Sequence, residues 1–388
     1  MGSTALLVLV IATALAFDFT NGFHDSSNAV GTAIATGALR PRLAVLLSAL
    51  LNVVGALLSL KVATTIAKGI VDSTQVTLTI VSAALLGAIA WNVLTWLFGL
   101  PSSSSHALIG GLIGAMLVAK GTGGVEWQGV LSKVVVPALF APVAAALAAA
   151  LATWIAYRAL RGVSPDTGRR SYRLGQVGSA SLVSLAHGTN DAQKTMGVIT
   201  LALVAHGSLP ASGFHVPLWV ILSAATAMGV GTYAGGWRII RTLGHRITEI
   251  RSPQGFSAET AGGTVILASS YFGYPLSTTH VVSGAVFGSG IGRRAGIRWG
   301  ITGQIVIAWL LTLPAAAGCA AVARYLIEGF GGGSTTGPLV ATALAAALCV
   351  GLFAISRRAP VTAANVNDVE PVPVSRLNEP RWSGVRAA

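Results

Sequence analysis

Two aspartates stand in stretches that otherwise read as membrane interior, and both are ringed by amides: NGFHDSSNAVG at residues 21–31 and HGTNDAQKTMG at 187–197. Asp25 and Asp191, with Asn21, Asn28, Asn190 and Gln193, offer carboxylate and amide oxygens, which are ligands for a small hard cation. The same carboxylates can instead carry a proton. Gly22, Asp25 and Gly31 recur as Gly188, Asp191 and Gly197 at a constant offset of 166 residues. Glycines at that density suit an interrupted helix whose unwound backbone lines a cavity. Asp18 and, near an edge, Glu259 are the other acidic residues in this setting. A bundle-stabilising ion pair or hydrogen bond is the competing reading of any one such charge. The repetition favours function for Asp25 and Asp191.

A second pair of motifs carries hydroxyls. GLPSSSSHALIGGLIG at 99–114 matches GYPLSTTHVVSGAVFG at 273–288, with glycines, Pro101/Pro275 and His106/His280 all offset by 174 residues. Each proline suits the first position of a new half-helix, where its missing N–H costs nothing. The following Ser103, Ser104, Ser105 and Ser277, Thr278, Thr279 add donors without adding full charge. A helix N-terminus with free N–H groups is a site for a phosphate-like anion. One serine-rich stretch alone would read as a helix cap; two with the same spacing read as the halves of a clamp. Three roles are open to His106 and His280: binding the anion, moving a proton, or bonding the neighbouring turn. His24 and His187, beside the aspartates, are open in the same way. Lys194 breaks the symmetry, because its counterpart is Asn28. Its ammonium can neutralise Asp191, touch the anion, or fill the space a sodium ion would need. The last role points toward proton coupling, with Glu259 as a further proton or anion candidate.

The elements that must hold these groups are membrane helices. Of 388 residues, 53% are hydrophobic and 10% charged, against about 25% charged in soluble domains, and mean hydropathy is +0.72. Apolar runs at 43–60, 74–98, 134–157, 217–236, 299–323 and 337–356 reach the roughly 17–25 residues that cross a bilayer. The net charge of +13 could suit nucleic acid, but nineteen of the twenty-five basic residues fall in alternate loops and the tail. That is the positive-inside pattern, so no nucleic-acid partner is expected. It sets the N-terminus outside, the C-terminus in the cytoplasm, and two hairpins, 74–119 and 255–290, that enter from opposite faces. The expected fold is therefore an all-α polytopic membrane protein. It has two inverted-topology repeats, broken helices and two re-entrant helical hairpins, the architecture of many secondary transporters with a site at the midplane. The expected divisions are a first repeat at 1–157, an Arg-rich cytoplasmic linker at 158–176, a second repeat at 177–356 and a disordered tail at 357–388. The first apolar stretch lacks a basic leader, so no cleaved signal is expected despite "ALA" at 14–16. Cys319 and Cys349 lie in apolar runs and read as packing residues. Neither HExxH nor GxSxG occurs, so a carrier is expected rather than an enzyme. A channel, with its pore on an oligomer axis, is the reading from another class.

At these four motifs the sequence resembles the inorganic phosphate transporter (PiT) family, and "NGFHD" and "NDAQK" are most similar to its bacterial low-affinity, Pit-type branch. "QGFSAE" at 254–259 is similar to a further family segment and points to Glu259. The likeness runs over about residues 5–355. It implies secondary uptake of inorganic phosphate at the plasma membrane by a homodimer. The driving ion would be H+ or Na+, with no other cofactor, and bacterial proton-coupled members imply a metal–phosphate cargo. It also implies that Asp25 and Asp191 serve coupling and that the hydroxyl motifs hold the anion. His24 and Lys194 depart from the family pattern and argue against carrying over a sodium stoichiometry. Sulfate is the alternative substrate within the family.

Overall fold

The computed structural model describes residues 3–210, 215–331 and 334–368, and among these no strand forms beyond two isolated bridges, Val71–Val125 and Thr248–Ile297. The helices are α1 (Thr4–Ala35), α2 (Pro41–Ala56), α3 (Lys61–Lys68), α4 (Leu78–Leu97), α5 (Ser104–Lys120), α6 (Trp127–Val130), α7 (Val136–Ala159), α8 (Pro165–His206), α9 (Leu218–Ala234), α10 (Trp237–Arg241), α11 (Ser252–Tyr271), α12 (Thr278–Arg293), α13 (Trp299–Gly329) and α14 (Thr336–Ser356). A π-helical turn at Leu131–Val135 joins α6 to α7, and another at Thr242–Arg246 extends α10. Among the described residues five helices or continuous stretches are long and apolar enough to cross a bilayer: α1, α4, α6–α7, α13 and α14. The pairs α2/α3 and α9/α10, bent by 72° and 60°, bring the number to seven if each is one broken span. The 42-residue α8 is missing from that set because its inner half spends its length on His187, Asn190, Asp191, Gln193 and Lys194, all buried by protein.

The helices pack in matched pairs. α1 lies against α9 and α4, as α8 lies against α2 and α11; α5 packs on α13, as α12 packs on α7. Small residues make these contacts close, the usual device where apolar faces already sit in lipid. A Cβ on Gly110 or Gly114 would stand 2.5 or 2.2 Å from the carbonyl oxygens of Leu313 and Ala317; on Gly284 or Gly288 it would stand 2.4 or 1.9 Å from those of Pro142 and Ala146. The hairpin turns match as well. Gly99 and Gly273 take positive φ, 64° and 77°, which only glycine adopts cheaply. Arg238 Nη1 donates to Leu97 O at 3.2 Å, as Lys61 Nζ donates to Tyr271 O at 2.9 Å. Each hairpin turn is thereby tied to the second arm of a broken helix. On α7, α13 and α14, Phe140, Leu310 and Val350 are exposed, and lipid is the solvent that suits them.

Four sequence expectations need correction. α1 and α8 run unbroken through both aspartate motifs; the breaks fall in α2/α3 and α9/α10. The motif glycines serve close approach instead: a Cβ at Gly22 would lie 2.2 Å from Met228 O, and one at Gly188 2.2 Å from Asn52 O. Pro101 and Pro275 stand two residues before the N-caps Ser103 and Ser277, not at the first helical position. The expected linker at 158–176 is helical from Pro165, with Ser164 Oγ accepting from Thr167 N at 3.3 Å as the cap. The described start of the expected disordered tail is anchored: Arg238 Nη2 donates to Ala359 O at 2.7 Å and Arg241 Nη2 to Asn365 O at 2.5 Å. The rest of that expectation, 369–388, lies outside the described residues.

Candidate functional site

The tips of the two hairpins meet the two aspartates at the centre of the bundle. Ser103 and Ser277 cap α5 and α12, accepting from His106 N at 3.1 Å and His280 N at 3.2 Å. With the caps satisfied in this way, the next hydroxyls are free for other partners. Ser104 Oγ donates to Asp25 Oδ2 at 2.5 Å, and the matching Thr278 Oγ1 donates to Asp191 Oδ2 at 3.0 Å. Thr279 Oγ1 reaches across to Asp25 Oδ1 at 3.4 Å, while Asn28 Nδ2 donates to Thr279 Oγ1 at 3.0 Å and Thr278 Oγ1 at 3.3 Å. Each aspartate also has a histidine: His24 Nδ1 lies 2.6 Å from Asp25 Oδ1 and His187 Nε2 lies 3.1 Å from Asp191 Oδ2.

Lys194 makes the second half different from the first. Its Nζ donates to Asp191 Oδ1, to Ser105 Oγ at 2.5 Å and to Leu276 O at 2.9 Å. The ammonium is buried in a cage of carboxylate, hydroxyl and carbonyl oxygens drawn from α8, α5 and the loop before α12. Charge-assisted bonds of this kind are about twice as strong as neutral ones. Asp25, His187 and Asp191 each present one ligand atom within 4.8 Å of the others. Asn28 Oδ1 is a buried acceptor without a partner. The centre therefore combines two carboxylates, one ammonium, a layer of hydroxyls that donate to the carboxylates, and unfilled acceptor capacity.

A model of the phosphate transporter family matches residues 21–169 and 158–320. The chain belongs to the phosphate transporter family. It is 56% identical over 363 residues to a "probable low-affinity inorganic phosphate transporter" of Mycobacterium bovis, covering 93% of this chain and 87% of the relative. A Bacillus subtilis protein of the same description is 41% identical over 330 residues, covering 83% and 97%. The solved structure described as "The sodium-dependent phosphate transporter" superposes with a TM-score of 0.71 at 25% identity, covering 84% of this chain and 99% of that one. These relatives are transporters, so the expectation of a carrier rather than an enzyme stands, as does a multi-pass membrane protein.

Not every residue singled out in the sequence reaches the centre of this family member. Ser104, Ser105, Thr278, Thr279, Asp25, Asp191, Asn28 and Lys194 do, while the hydroxyls of Ser103 and Ser277 are spent as the caps of α5 and α12. Asn190 turns its amide to Ser270 Oγ at 2.8 Å and Tyr274 O at 3.1 Å. Gln193 is drawn away: its Oε1 accepts from Val62 N at 2.8 Å and Ala63 N at 3.3 Å and so caps the broken arm α3. Glu259 sits in a separate knot, accepting from Thr32, Gln176 and Ser179 and joining α1, α8 and α11. The rings of His106 and His280 meet edge to face at 4.7 Å, and His280 also lies 4.3 Å from the Trp309 ring. Sequence reasoning missed Thr95 and Ser102, which bond each other at 2.8 Å and lie 3.3 and 3.4 Å from His24 Nε2. It also missed Asn52, 3.2 Å from His187 Nδ1. The available signal was a polar residue inside an apolar run, which Thr95 and Asn52 both are. Outside the membrane helices, Asp72 accepts from Thr74 N, Thr74 Oγ1 and Gln75 Nε2, and these bonds hold its carboxyl below the usual aspartate range.

Proposed function

We propose that this chain is a secondary symporter that imports inorganic phosphate across the cell membrane, driven by the proton gradient. The observation that carries the reading is the caged ammonium of Lys194, held by Asp191, Ser105 and the Leu276 carbonyl. It fills with a fixed positive charge the oxygen-lined place that a sodium ion would otherwise take. The hydroxyls of Ser104, Thr278 and Thr279, now donated to aspartates, are the donors a phosphate oxygen would recruit. Taking them removes hydroxyl donors from both carboxylates beside a further anion, and like charges so placed cannot all stay ionised without compensation. Phosphate and a positive charge must then enter together, which is symport. The cluster of Asp25, His187 and Asp191 supports a divalent metal–phosphate complex as cargo.

The matched packing supports two repeats of inverted topology whose hairpins, α4–α5 and α11–α12, are re-entrant, and the placement of the basic residues supports an N-terminus outside and a C-terminus in the cytoplasm. The exposed apolar faces of α7, α13 and α14 suit bilayer lipid and a homodimer contact. Sodium coupling is the second reading, favoured by the name of the structural relative. Labelled phosphate uptake in cells tests the proposal. It should saturate, collapse with a protonophore and be competed by arsenate; competition by molybdate or selenate instead would make the substrate sulfate, and indifference to the protonophore would remove proton coupling.

A further inference from the structure

Four carboxylates are buried among the described residues: Asp18, Asp25, Asp191 and Glu259. Three of them are served by donors, as set out above. Asp18, 0% exposed on α1, has no donor at either Oδ1 or Oδ2. A buried polar atom in that condition calls for an explanation, and a buried ionised carboxylate left alone is among the costliest groups a protein can hold. The polar side chains beside it are Asn21, one turn on along α1, and Thr195 on α8. Asn21 Oδ1 and Thr195 Oγ1 are also without partners. Asp18 thus lies between an amide and a hydroxyl, each of which can accept the proton of a neutral carboxyl or donate to a charged one.

We propose that Asp18, flanked by Asn21 and Thr195, is the proton-binding site of the transport cycle, distinct from the Asp25–Asp191 centre. One proton from the water on one side forms an O–H bond at Asp18. That O–H donates to Asn21 Oδ1 or Thr195 Oγ1, and the proton leaves to water on the other side. No further reactant is needed.

Its position couples it to the centre. Asp18 precedes Asp25 by seven residues, about 10 Å along the helix. The charges that act on it are Asp191 and Lys194 of α8. α4 and α9, also packed on α1, carry no Asp, Glu, His, Lys or Arg; on α1 the next titratable groups are His24 and Asp25. When an arriving anion draws Lys194 from Asp191, the field at Asp18 changes, so proton and anion occupancy are linked in both directions. The repeat does not duplicate the site: the counterpart of Asp18 is Ser184, whose Oγ is spent on Ala180 O at 2.8 Å. One such site per chain therefore follows from the asymmetry.

The inference rests on proton-driven phosphate symport, and its test separates the two. Full-length wild type, Asp18→Asn and Asp18→Glu are reconstituted in proteoliposomes. Phosphate–phosphate exchange without a gradient is measured beside uptake driven by an imposed pH gradient. Asp18→Asn should keep exchange and lose all stimulation by the pH gradient, while Asp18→Glu keeps part of that stimulation. A wild type stimulated by the gradient beside an equally stimulated Asp18→Asn overturns the site alone. Equal loss of exchange and gradient-driven uptake in both variants overturns it in favour of a structural role. A wild type that answers only to a sodium gradient overturns the reading on which the site rests.

Discussion

Replacing Lys194 by Met tests whether the ammonium is what allows Asp191 to sit ionised at the centre. The variant keeps the volume and removes the charge. Asp191 would retain Thr278 Oγ1 at 3.0 Å and His187 at 3.1 Å but lose its single cation, and Ser105 and the Leu276 carbonyl would lose a donor. Removing one partner of a buried ion pair costs about 3–5 kcal/mol, while removing both is close to neutral. Lys194→Met should therefore destabilise the protein by about that amount, on the order of a hundredfold to a few thousandfold in the folding equilibrium. Adding Asp191→Asn should recover most of the loss. Unfolding titrations in mixed micelles give the four free energies of the cycle, and phosphate uptake is measured on the same preparations. Both single variants and the double variant should be inactive in uptake. A Lys194→Met protein as stable as wild type, or a double variant no more stable than the single one, would refute the pairing.

Asp25→Asn and Asp191→Asn should each abolish phosphate uptake while the protein remains in the membrane at wild-type abundance; normal uptake in both would end their coupling role. Ser104→Ala and Thr278→Ala each delete a hydroxyl bonded to a charged group, a bond worth about 1.5–3 kcal/mol, and should raise the apparent KM for phosphate by roughly ten- to a hundredfold on that figure. An unchanged KM would remove them from the site. Gly288→Ala places a Cβ 1.9 Å from Ala146 O, whereas Gly300 has nothing within 4 Å of its Cβ position. The first should cost about 1–3 kcal/mol or more and lower the yield of folded protein, and Gly300→Ala should match wild type in detergent thermal unfolding.

The centre was legible because its motifs repeat. Asp25 with Ser104 and Asp191 with Thr278 are matched motif residues, and the structure joins them by matched hydrogen bonds. The path of the backbone was less legible. Gly22 and Gly188 are what either an unwound helix or a tight helix crossing would require, and only the neighbouring carbonyls of Met228 and Asn52 decide for the crossing. The breaks in α2/α3 and α9/α10 follow from contacts across the bundle, such as Gln193 capping α3, and no local pattern announces them. Asp18 was visible as a costly charge, but its significance lies in the donors that Asp25, Asp191 and Glu259 have and it lacks. That is a property of packing between α1 and α8 that composition does not carry.

The most direct test of the account is labelled phosphate uptake into proteoliposomes under proton and sodium gradients imposed separately. The account predicts accumulation above equilibrium with an inward proton gradient and none with an inward sodium gradient at matched pH. Accumulation driven by sodium alone, with no response to the proton gradient, would contradict it.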